Sequence, residues 1–71
     1  MPNGAGRRIF GSMYKTYEFY MEGPEGPLGF EPVTCRTEAE LLAAAQRLID
    51  EQGLAAVEVR HFGEHVFRVA A

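Results

Sequence analysis

A single cysteine, Cys35, leaves no partner for an internal disulfide, and a single serine, Ser12, leaves no triad or nucleophile elbow to draw. No histidine lies near Cys35 in sequence to serve as its base, so the expected state of Cys35 is a buried or half-buried structural thiol. No run of eighteen apolar residues and no cationic-then-apolar leader is present, and the expected setting is a soluble, reducing cytoplasm. Basic residues are also scarce. From Met13 onward there are five, Lys15, Arg36, Arg47, Arg60 and Arg68, against ten acidic ones. Nucleic-acid affinity rests on Lys and Arg neutralising phosphates, so an acidic body counts against that partner and against anionic membranes.

What remains is the composition of one small folded domain. A hydrophobic fraction of 46% and a charged fraction of 24% are ordinary for a globular chain, which argues against disorder. With 71 residues the surface buried on folding is small, about 60% of what the unfolded chain exposes, and self-association would add to it.

The most legible stretch is Thr37 to Leu54. Thr37 and Glu40 form a capping box in which each side chain satisfies the other residue's amide. Gly53 permits a left-handed stop, with Leu54 folding back on the last turn. Between the caps, Leu41, Leu42, Ala45, Leu48 and Ile49 fall on one apolar stripe, and Gln46, Arg47, Asp50 and Glu51 face water. A helix with one buried face needs a sheet to cover it.

Met13 to Met21 supplies the clearest strand, with Tyr17, Phe19 and Met21 on the helix-facing side and Tyr14, Thr16, Glu18 and Tyr20 on the other. Before it, residues 1–12 carry three glycines and a proline without periodicity, and read as a disordered arm, a cloning scar or an upstream extension. After it, Glu22 to Gly29 is turn chemistry and is expected to be a loop. Its flanking glutamates argue against a phosphate cradle. Phe30 to Arg36 is compatible with a short second strand, confined to an edge by Pro32.

Beyond the helix, Ala55 to His61 and His65 to Ala70 alternate as a hairpin. The pattern pairs Val59 with Phe67, Val57 with Val69 and Glu58 with Arg68. That register leaves Phe62-Gly63-Glu64 as a three-residue loop, unless a bulge intervenes, and sets His61 opposite His65. Two imidazoles so placed are a candidate metal pair, with Glu64 or Cys35 as a third donor, though a structural zinc site wants four ligands. Exposed histidines at a turn are the plainer reading.

Three motifs, Tyr17-Glu18-Phe19-Tyr20, Thr37-Glu38-Ala39-Glu40-Leu41 and Val57-Glu58-Val59-Arg60, give the chain a pattern that resembles a group of short, uncharacterised bacterial proteins. Such proteins run strand, Gly- and Glu-containing loop, Ala/Leu-rich helix and terminal hairpin. The resemblance implies a fold and carries no activity. The His-bearing last turn departs from it.

The expected architecture is α+β, one helix on one face of a three- or four-stranded, mainly antiparallel sheet. No catalytic or cofactor-binding constellation emerges from residues 13–71. The expected function is a protein-interaction module, self-associating through its open sheet face or an edge strand, with Tyr14, Tyr20, Arg60, Phe62 and Arg68 as its surface. The alternatives are single-stranded nucleic-acid binding on that face, or metal binding at His61 and His65.

Overall fold

A computed structural model describes residues 14–71. The expected arm at residues 1–12 lies outside this range. The described chain runs β1 (Lys15–Gly23), β2 (Gly26–Cys35), α1 (Glu38–Gln52), β3 (Ala56–His61) and β4 (Glu64–Ala70). All neighbours are antiparallel, in the order β2-β1-β3-β4. The fold is α+β, with the helix on one face of a four-stranded sheet.

The helix ends are set largely as the sequence dictates. The Thr37 side chain accepts from the Glu40 amide at 3.1 Å. The reciprocal bond differs, because the Glu40 carboxylate accepts from the Arg36 amide at 2.9 Å, one residue earlier than a capping box requires. At the other end Gly53 adopts φ 64°, ψ 38°, and the Ile49 carbonyl accepts from the amides of both Gly53 and Leu54. Leu54 is buried, closing the cap with an apolar contact.

Leu41, Ala45 and Ile49 form the buried stripe, meeting Phe19, Val57 and Val59 across the sheet. Leu42, expected on that stripe, is 42% exposed. It lies about 100° round the helix from Leu41, and the stripe is complete without it.

Two segments depart from the sequence reading. Glu22 to Gly29 is no open loop: β1 continues to Gly23 and β2 begins at Gly26, so the turn is Pro24-Glu25 alone. Pro24 supplies its preset φ to the turn, and Leu28 is the extra residue where the register slips between Met21 and Glu22. Phe30 to Cys35 continues the same strand at the sheet edge, as Pro32 demands.

In the second hairpin the pairs Val59 with Phe67, Val57 with Val69 and Glu58 with Arg68 form as expected. A bulge between Val59 and Arg60 then leaves Val66 unopposed, pairs Arg60 with His65 and His61 with Glu64, and shortens the loop to Phe62-Gly63. Both loop residues have positive φ, 52° and 82°, the signature of a type I′ turn. Asn-Gly is the favoured sequence there. A left-handed Phe62 costs about 1–2 kcal/mol.

Candidate interaction surface

The bulge separates the two histidines. His61 stays on the helix side, its ring centroid 5.0 Å from Tyr17 and 4.6 Å from Phe62. His65 turns to the open side, where its Nδ1 lies 3.0 Å from Glu58. The expected juxtaposition of imidazoles does not form, because it required the unbulged register. Among the described residues no group of three or more His, Cys, Asp or Glu side chains is gathered for a metal.

On the open face, Tyr20 and Arg60 come together with Phe30, which the alternation of its own proline-containing segment does not mark. Phe30 on β2 stacks against Tyr20 with ring centroids 4.9 Å apart and planes 22° from parallel. From the other neighbouring strand the Arg60 guanidinium lies 4.4 Å from the Tyr20 ring centroid. The ring is flanked on both sides, which leaves no free face for a nucleobase.

Both arginines of this face are matched to glutamates. Arg60 donates to Glu58 at 3.0 Å, and Glu58 also takes His65. Arg68 reaches Glu22 through two bonds of 2.9 and 3.3 Å. Hydrogen bonds from Arg60 and then His65 hold the Glu58 carboxyl below the ordinary carboxylate range, and the Arg68 bonds do the same for Glu22. Carboxylates so lowered stay ionised near neutrality, the reverse of what a general acid needs. With Arg60 and Arg68 committed to glutamates, the described residues of this face offer little free positive charge to a phosphate.

The remaining expected surface residues are dispersed. Tyr14 sits near the start of β1 under Arg36, whose guanidinium carbon is 5.7 Å from the ring centroid. Phe62 stands at the tip of the second hairpin, 87% exposed. Tyr14, Tyr20 and Phe62 therefore form no continuous patch.

Cys35 is buried at the end of β2. Burial, and then the charge of Glu40, push its thiol pKa up. A thiol held protonated is a poor nucleophile.

A different surface emerges at the sheet edges. The β2 edge is blunted: Pro27 and Pro32 have no amide to donate, and the register slips at Leu28. The β4 edge carries seven residues without a proline or lysine, irregular only at the bulge near its start. Beside it, Leu42 and Ala39 of the helix face Phe67 and Val69 across a groove of about 670 Å³ with Glu38 on its rim. Further along the same flank, Gln46, Ile49 and Asp50 meet Val69, Ala70 and Ala71 around a smaller notch of about 280 Å³. The signal for this surface was the surplus Leu42, one apolar residue more than the stripe needed.

No family model, curated protein or solved structure matches the chain.

Proposed function

We propose that this chain is a non-catalytic protein-interaction module that self-associates through the free edge of β4. The observation that carries the reading is the asymmetry of the two edges. One is interrupted by prolines, while the other, among the described residues, presents unpaired backbone beside an apolar groove. Antiparallel pairing of two β4 strands joins the sheets of two copies and covers Phe67, Val69 and Leu42. The gain suits a domain whose own core is small. A stable interface buries roughly 1,200–2,000 Å² in all, so the helix flank has to be covered along with the strand edge.

The same reading places the protein in the cytoplasm, supported by a lone cysteine that is buried as a thiol. No helix among the described residues is long and apolar enough to cross a membrane. Kinship with the short bacterial proteins of the same motif pattern is proposed on those three motifs alone. Single-stranded nucleic acid is disfavoured by the flanked Tyr20 ring and the committed arginines.

The test is sedimentation velocity over a wide concentration range, with hydrogen exchange of the β4 amides measured alongside. Dimerisation is expected, with β4 protection rising as the dimer forms. The variant Leu42→Glu, which places charges beside the groove, is expected to weaken the dimer at least tenfold while leaving the monomer folded. A protein that stays monomeric at hundreds of micromolar, or β4 protection that is indifferent to association, refutes the reading.

A further inference from the structure

We infer that Phe62 is the association anchor, seated in the notch formed by Gln46, Ile49, Asp50 and Ala70 of a second copy, an inference that rests on the β4-pairing reading. The starting point is a conflict between sequence and backbone. Phe62 occupies a left-handed position in a two-residue turn that favours Asn, and its ring is 87% exposed. A bulky apolar group held in a strained conformation and left in water breaks two local rules at once. Such a break points to a working residue.

The ring is also held in place. The Glu18 carboxylate accepts from the amides of both Phe62 and Gly63, at 3.3 and 3.0 Å, and so fixes the turn to β1. His61 packs against Phe62 and Tyr17 packs against His61, a run of three rings that begins on the helix side of the sheet. The projecting group is a supported knob, so little ordering entropy is left to lose on binding.

The occupant is a second copy because β4 carries a projecting ring at one end and a recess at the other. The knob lies beyond Glu64, and the notch lies beside Val69 and Ala70 on the helix side. A twofold axis through Phe67, the midpoint of β4, brings Glu64 level with Ala70 of the other copy. The turn then passes beyond that residue, against Ala71 and the notch. Centring the pair on Arg68 instead sets two like charges directly opposite one another. In the Phe67-centred arrangement, His61 approaches Asp50 on the rim of the opposite notch. Knob into notch occurs twice, as an isologous interface requires.

The experiment compares the dimer Kd of the full chain, by sedimentation velocity, with Phe62→Asn, Gln46→Lys and the double variant. The melting temperature of each is read at a concentration where it is monomeric. Phe62→Asn is expected to raise the Kd at least tenfold while keeping or raising the monomer's melting temperature, because Asn suits the turn. The double variant is expected to be no weaker than the worse single variant, as for two residues of one contact. An unchanged Kd for Phe62→Asn in a protein that dimerises with β4 protection overturns the anchor alone. Fully additive losses overturn the notch as its seat. A wild-type protein that never dimerises overturns both the anchor and the edge pairing.

Discussion

Arg68 on β4 reaches over β3 to pair with Glu22 on β1, closing at 2.9 Å. The residue of β3 opposite Glu22 is Ala56, which is fully buried although its side chain lies on the open face. A larger residue there would stand in the way of the pair. One ion pair thus braces three strands without a contribution from the core.

Acid should loosen that brace. The folded pKa values of Glu22 and Glu58 lie below the ordinary value of 4.5, so each carboxylate contributes stability above that value and loses it as pH falls through the lowered folded value. Urea midpoints measured from pH 7 down to pH 2.5 should fall at the acid end. The fall should be shallower in Glu22→Gln, which has no pair left to lose. Both groups are exposed enough that added salt should reduce the effect.

The Glu18 acceptor offers a second measurement. Glu18→Ala deprives the amides of Phe62 and Gly63 of their shared partner and should cost about 1 kcal/mol, read from the denaturation midpoint. Glu18→Gln, which keeps one carbonyl oxygen, should cost less.

Adjacent leucines of the helix should behave differently. Leu41 is fully buried, and Leu41→Ala should destabilise by roughly 2–5 kcal/mol, enough to unfold much of a domain this small. Leu42→Ala should stay within about 0.5 kcal/mol for the monomer, as an exposed position does. Circular dichroism melts of the two variants separate the cases.

The helix caps give a fourth test. Thr37→Ala removes the acceptor for the Glu40 amide and should cost about 1 kcal/mol. Gly53→Ala forces a side chain into a left-handed position and should cost about the same or more, even though the space around Gly53 is open. The loss there is conformational and arises without any clash.

Local chemistry was legible in the sequence and accumulated register was not. The helix, both of its stops and the inward set of Phe19, Val57 and Val59 followed from spacing, since an amphipathic period leaves few alternatives. The bulge at Val66 escaped because a single unopposed residue changes no alternation before it. Everything beyond it, including the separation of His61 from His65, shifted with it. The Gly-Pro-Glu-Gly-Pro run read as a loop because its turn residues outnumber those that one tight turn uses, and Phe30 was obscured with it. Leu42 shares the apolar spacing of the stripe, and spacing alone does not reveal that Leu41, Ala45 and Ile49 already fill the buried face.

The prolines of β2 carry a meaning for stoichiometry. A sheet that offers backbone at both edges can add copies without end, and growth of that kind leads to fibres. On the proposed pairing, one margin would take a neighbour, while the other, with Pro27 and Pro32, lacks the donor amides to do so. The sheet would then have a valency of one. Assembly through β4 would end at a pair, and the missing donor amide at Pro32 would limit how large the assembly could grow.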